Sequence, residues 1–276
     1  MAVKVVTDTS CDLPPSVENA LGLIAIPLIF HFGLNEYKDK SMSMKQFLAM
    51  SEETWPQTAG PSTETFAQAF REVVEAGDQA VCIAVTSKLS TTHASAVLAG
   101  RQFSSDQVIV LDSMSFSVGQ GLLIRAAAQA AQEGKNLEEV VGIVKELQTR
   151  LHLYVALDTV KYLIKGGRAN RLTGMLVWLL RIRPILTTVG GELTLLDRPR
   201  GRQAAKQRLL ELALSHFPAE AVAVTHIVCE DEAQELASEI SRRSGFPEDE
   251  ILLVETGMAL ATHGGPGTLG IAVVSK

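Results

Sequence analysis

Residues 81–101 read VCIAVTSKLSTTHASAVLAGR, and the order of their parts decides the fold. Val81-Cys82-Ile83-Ala84-Val85 is a short apolar run rich in β-branched side chains, the pattern of a strand buried on both faces. A hydroxyl-rich turn follows, Thr86-Ser87-Lys88-Leu89-Ser90-Thr91-Thr92, and apolar residues then recur at three- and four-residue spacings, which predicts a helix over 94–101. Strand, polar turn and helix in that order form the repeating unit of a parallel sheet. The same rhythm occurs at 3–6, followed by Thr7-Asp8-Thr9-Ser10, and at 108–111, followed by Asp112 and Ser113. Helical patterns over 66–74 and 122–132 supply the crossovers. The first half therefore reads as a doubly wound α/β domain.

A helix over 137–151 leads out of that sheet. Beyond it the predicted strands are 154–157, 192–196, 221–228, 251–255 and a final one over 269–274, with helices at 203–215 and 232–243. This change of character places a domain boundary near residue 150. An N-terminal α/β domain over 1–150 with a parallel sheet is followed by a smaller α+β domain over 151–276 with a mixed sheet.

The composition narrows the function. Cys11, Cys82 and Cys229 form neither a CxxC pair nor a zinc-ligand spacing, which fits a reducing cytoplasm better than a disulfide framework. The first residues lack the charged head and long apolar run of a signal peptide. The longest apolar stretch, 175–186, is interrupted by Arg181 and Arg183 well short of the roughly 20 residues of a membrane span. A net charge of −6 disfavours nucleic acid as the main partner. Hydrophobic residues make up 46% and aromatics only 5%, so the interior is aliphatic, suited to an alkyl chain and not to stacked bases.

Ligands of open parallel sheets gather at the carboxyl ends of strands, and four turns there carry hydroxyls: 7–10, 58–62, 86–92 and 112–113. Asp12, Ser62 and Asp112 read as helix N-caps. Ser90-Thr91-Thr92 exceeds what a cap needs, and the helix start behind it favours an anion. His263 lies in the glycine-rich segment 262–267, where a hydrogen-bonded turn histidine and a functional one are both open readings. Lys165-Gly166-Gly167-Arg168 reads as a tight turn with solvated charges, with an anion nest as the other reading. Arg198, Arg200 and Arg202, with Lys206, form a basic cluster in an acidic chain: a solvated face, or a docking surface for an acidic partner.

No phosphate loop, nucleophile elbow or HExxH helix is present. Gly119 and Gly121 begin a dinucleotide fingerprint that fails at Ile124. The expectation is a chain with no catalytic residues of its own, no metal and no cofactor. Two alternatives stay open: a stand-alone phosphotransferase or hydrolase using Ser90 and His263, and a regulator that binds a polar small molecule.

Taken in order, 7–14, Ile26-Pro27-Leu28, 56–62, 87–90, Asp112-Ser113, Asp158-Thr159, 165–168, 183–186 and 263–267 resemble the bacterial DegV family of fatty-acid-binding proteins. The resemblance implies two domains with a fatty acid in a tunnel between them. It implies the binding subunit of a fatty-acid kinase system in phospholipid metabolism, presenting its carboxylate to a separate ATP-binding subunit that forms an acyl phosphate. Thr58, Ser90 and Thr91 are the implied carboxylate-binding residues, with His263 close by. Arg198, Arg200 and Arg202 fall where the kinase contact is implied, and transient contact with a membrane surface is compatible. The chain departs from the family pattern at Ala59-Gly60, where Ser and Gln are usual, and at Thr91 and His93, where Gly and Tyr are usual. Burying about fourteen methylenes at ~0.8 kcal/mol each yields on the order of 11 kcal/mol before ordering costs, so the tail supplies affinity and the head group supplies orientation.

Overall fold

The computed structural model describes residues 1–169 and 182–276. The apolar stretch 175–186 lies, up to residue 181, outside the described residues.

The first half contains β1 (Val3–Asp8), α1 (Pro15–Leu21), β2 (Ile24–Ile26), β3 (Ile29–Phe32), β4 (Asn35–Lys38), α2 (Met44–Glu53), β5 (Gln57–Ala59), α3 (Thr63–Glu75), β6 (Gln79–Ala84), α4 (Thr92–Gly100), β7 (Val108–Asp112), α5 (Ser117–Gln132) and α6 (Leu137–Arg150). The second half contains β8 (Leu151–Ala156), α7 (Lys161–Lys165), β9 (Ile185–Val189), β10 (Glu192–Asp197), α8 (Arg202–Leu214), β11 (Ala219–His226), α9 (Glu230–Ser244), β12 (Leu252–Glu255), α10 (Met258–Gly264) and β13 (Leu269–Ser275).

The expected fold class holds. Strands β2-β1-β6-β7 form a wholly parallel sheet. The second sheet, β10-β9-β8-β13-β11-β12, is mixed: β11 and β12 run parallel and its other pairs antiparallel. The crossover helices form for the reasons read in the sequence. α3 starts where the Ser62 hydroxyl accepts the Thr65 N–H at 3.1 Å, and it buries Phe66, Phe70 and Val73 on one face. α6 opens on a capping box between Asn136 and Glu139.

α5 and α6 form a layer shared by the two sheets. Ile124, Ala127, Ala128, Val140 and Val144 pack on β1 and β6. Val118, Leu122, Leu123 and Leu147 pack on β8 and β13. α5 is buried without a break from Ser117 to Ile124, as a helix enclosed on all sides must be. Gly121 passes so close to Cys11 that a Cβ would lie 2.7 Å from its carbonyl oxygen. Gly119 and Gly121 are therefore packing glycines, not part of a nucleotide loop.

Three sequence readings need correction. Residues 29–59 hold a third, antiparallel sheet, β4-β3-β5, that the periodicity did not reveal. Its strands are three or four residues long, too short for an alternating pattern to register, and Phe30, Phe32 and Phe47 bind it to Met258 and Ala261 of α10. Asp12 is no N-cap: it is buried in the left-handed region and reaches α10. Asp112 caps no helix either; its carboxylate accepts the Ser87 and Met114 N–H groups and braces two loops.

Candidate functional site

Thr58 stands in β5, paired across from Phe30 of β3. Two residues later the chain passes α4 so closely that a Cβ on Gly60 would lie 2.7 Å from Thr92 Oγ1. The glycine at 60 is thus what lets the Thr58 strand lie against the start of α4. There the Ser90 and Thr92 hydroxyls are 2.8 Å apart, and Ser90 Oγ accepts the Thr92 N–H at 3.2 Å. The Ser90 N–H is engaged by Thr86 O at 3.3 Å, while the Thr91 side chain is exposed and caps nothing. The hydroxyls joined at this helix start are those of Ser90 and Thr92.

His263 comes from the last turn of α10 and meets Thr58 across 205 positions of sequence, Nε2 to Oγ1 at 3.1 Å. Burial, helped by the charge of Arg168, pushes the imidazole pKa down to about 3, so it is neutral at pH 7. Nδ1 is sealed from solvent without a hydrogen-bond partner, and Gly166 backs directly onto it. A bare ring nitrogen is cheaper to bury unpartnered than an N–H, so the proton belongs on Nε2. His263 then donates to Thr58 Oγ1, and the Thr58 O–H is left to donate outward.

Arg168 completes the group. Its guanidinium donates to Gly166 O at 2.8 Å and to Leu89 O at 3.4 Å, beside Ser90. Burial lowers its pKa, yet a guanidinium keeps its charge at neutral pH. This corrects the reading of 165–168 as solvated: Arg168 is half-buried and ties the turn after α7 to the turn after β6. Glycine spacing marked the segment, but nothing local told which way the arginine points. Below it Trp55 packs on Tyr162 with ring centroids 5.3 Å apart, and Lys165 Nζ lies 4.8 Å from the Trp55 ring centroid. Tyr162 in turn fills the space beside Gly265, whose φ of +76° suits only glycine.

The other hydroxyl turns differ. Thr9 donates to Asp39 and Thr7 to Ile83 O, and the Ser10 hydroxyl lies within hydrogen-bond reach of both Asp8 and Gln120 Oε1, so the hydroxyls here are all claimed by the interior. Thr86 donates to Gly191 O at 3.0 Å, which docks the β9–β10 turn of the second sheet onto the first. The basic cluster divides as well. Arg202 makes a two-pronged pair with Glu232 at 2.9 and 3.0 Å and donates to Gly267 O, so it holds the turn after His263. Lys206 pairs with Glu235 and Glu232. Arg198 and Arg200 are exposed.

Among the described residues no group of three His, Cys, Asp or Glu side chains is placed to hold a metal, and no helix is long and apolar enough to cross a membrane. The site thus offers neutral hydroxyl donors, a neutral imidazole behind one of them and a guanidinium alongside, an arrangement able to hold an anionic head group without proton transfer.

A model of the DegV family, described as uncharacterised proteins, matches residues 2–276. A DegV domain-containing protein of Clostridium acetobutylicum is 31% identical over 284 aligned positions, covering 100% of this chain and 99% of the relative. Among solved structures, a fatty-acid-binding DegV-family protein from Thermus thermophilus superposes with a TM-score of 0.92 at 29% identity, covering 100% of both chains. A stearic acid-binding protein from Eubacterium ventriosum superposes at 0.88 with 25% identity, covering 99% of this chain and 98% of the other.

Proposed function

Because the chain belongs to the DegV family, we propose that it binds a long-chain fatty acid between its two α/β units and presents the carboxylate to a separate ATP-dependent kinase. The observation that carries this reading is the meeting of Thr58 and His263 at 3.1 Å, with Arg168 and Ser90 beside them, where the two halves adjoin. The relatives that bind fatty acid share the whole length of this fold.

The chemistry follows from the donors. A carboxylate taken from water without partners costs several kcal/mol, and hydroxyl donors with a nearby guanidinium offset that cost. Thr58 O–H, released by His263, and Ser90 O–H supply neutral donors; Arg168 supplies charge. Thr91 stands at the rim. In this reading the aliphatic tail runs between two units, which we divide at residue 150, between α6 and β8. Arg198 and Arg200, exposed on the second unit, are the kinase-contact candidates, and Arg202 supports them from its pair with Glu232. The working compartment is the cytoplasm, and the ligand is the only non-protein group required.

A stand-alone phosphotransferase or hydrolase on Ser90 and His263 is the weaker reading. An imidazole with a pKa of about 3 is a poor general base at neutral pH, and its accessible hydrogen bond goes to Thr58. Native mass spectrometry of the purified chain tests the proposal: fatty acid appears as a discrete adduct released by denaturation, and ATP alone leaves it unphosphorylated. A chain that neither carries nor takes up any long-chain acid overturns the reading.

A further inference from the structure

The helix that carries His263 is held at its other end by two buried carboxylates from the opposite half of the chain. Asp12 Oδ1 accepts the N–H of Gly257 at 2.9 Å, and Asp39 Oδ1 accepts the N–H of Ala259 at 3.1 Å. Both carboxylates are at least nine-tenths buried. Each is itself fixed: Ser117 donates to Asp12 Oδ2 at 2.5 Å, and Thr9 donates to Asp39 Oδ2 at 2.7 Å. Gly257 is required here, because a Cβ would lie 2.8 Å from Asp39 Oδ2.

Backbone strain gathers at the same point. Five non-glycine residues among those described have a positive φ, and three of them, Asp12 (56°), Lys40 (61°) and Ser117 (51°), surround the first turn of α10. Left-handed backbone at residues other than glycine is uncommon and persists where the surroundings impose it, and three such residues at one place mark it as built to a geometry. Lys40 adds its own N–H to Met258 Sδ at 3.2 Å, and its ammonium binds Leu13 O at 2.7 Å and Glu18 at 3.1 Å. Lys40 thus neutralises part of the charge that Asp12 and Asp39 concentrate.

We propose that Asp12 and Asp39 are positioning residues that set α10 against β5, so that His263 meets Thr58 and directs its hydroxyl toward the head group. The helix is only seven residues long, from Met258 to Gly264, so a shift at its first turn passes with little damping to His263. Two carboxylates accepting from its first N–H groups fix both its height and its rotation. The tail does not sense this arrangement. The head group does.

The inference rests on the binding reading above, and its test separates the two. Affinities for stearic acid and stearyl alcohol, which share a tail and differ in the head, are compared in the native chain, in Asp39→Asn and in Asp39→Ala. Asp39→Ala lowers stearic acid affinity roughly tenfold and leaves stearyl alcohol unchanged; Asp39→Asn, which keeps one acceptor, recovers part of the loss. A nitrogen-15 histidine titration by NMR shows the His263 ring taking its proton at a higher pH in Asp39→Ala, because the ring leaves its sealed position. A folded variant in which both ligands weaken equally, or neither does, or in which His263 titrates as in the native chain, overturns the proposal. Should Asp39→Ala fail to fold by thermal melting, Gly257→Ala displaces Asp39 more gently and is held to the same outcomes. If the native chain binds neither ligand, the function proposed above fails, and the His263 titration alone decides the positioning role.

Discussion

Two turns that look alike in sequence, Thr7-Asp8-Thr9-Ser10 after β1 and Thr86–Thr92 after β6, end in opposite states. Both follow central parallel strands at their carboxyl ends, and both are crowded with hydroxyls. In the first, Asp8 draws the polar groups inward. Burial pushes its carboxyl above the ordinary range, and the hydrogen bonds from Ser10, Val85 and Gln120 pull the other way. In the second no carboxylate stands in the turn, so the half-buried Ser90 and the buried Thr92 pair with each other at the helix start. A hydroxyl cluster is free to meet a ligand only where no interior acceptor claims it first.

Breaking the closed turn has the largest consequence. Asp8→Ala leaves the buried N–H groups of Val85 and Ser10 without an acceptor and costs about 3 kcal/mol of stability, read from the urea midpoint. In the open turn, Ser90→Ala removes the acceptor of one helical N–H and costs at most about 1 kcal/mol, while fatty-acid retention falls roughly tenfold. Thr91→Ala, at an exposed side chain one residue along, changes both by less than about twofold. A Thr91→Ala effect as large as that of Ser90→Ala erases the distinction between rim and cap. The response to pH is set by buried groups that act in opposite senses. His263 has a folded pKa of about 3, below its ordinary 6.5, so the unfolded chain takes up the proton first. Its contribution is present above pH 6.5 and is lost as the pH falls toward 3. Asp12, raised to about 7, acts in the opposite sense, because the folded chain holds the proton first between pH 7 and 3.8. His263→Gln therefore loses less stability than the native chain between pH 6.5 and 4.5, and Asp12→Asn loses more, as urea midpoints across that range report.

What was legible in the sequence was local. The strand–turn–helix run at 81–101 needed only its own periodicity, and β6 and α4 lie where that reading put them. Ser62 reads as a cap from its neighbours alone and is one. The rest depends on contacts that no local window holds. Thr58 and His263 meet over 205 positions; the local sequence marks each one, and only the family resemblance puts them at one head group. Asp12 sits at a sequence position that looks like a cap, but its partner is 245 residues away at Gly257. The sequence marks the turn 165–168 but leaves Arg168 undirected, because the direction of a long side chain after a glycine pair is set by tertiary packing. The β4-β3-β5 sheet escaped for a different reason: its stability comes from an aromatic cluster, with Phe30 and Phe47 centroids 5.3 Å apart, and not from strand length.

The shared helical layer has a bearing on how the molecule yields to force or dissection. α5 gives one side to each sheet, so a polypeptide severed after Arg150 leaves the N-terminal piece with Val118, Leu122 and Leu123 bare and the C-terminal piece with Leu153, Val155 and Val274 bare. Each fragment then exposes an apolar face that the intact chain covers. α10 meets both α7 of its own half and β5 of the other, so it forms a second seam between the halves, separate from this spine.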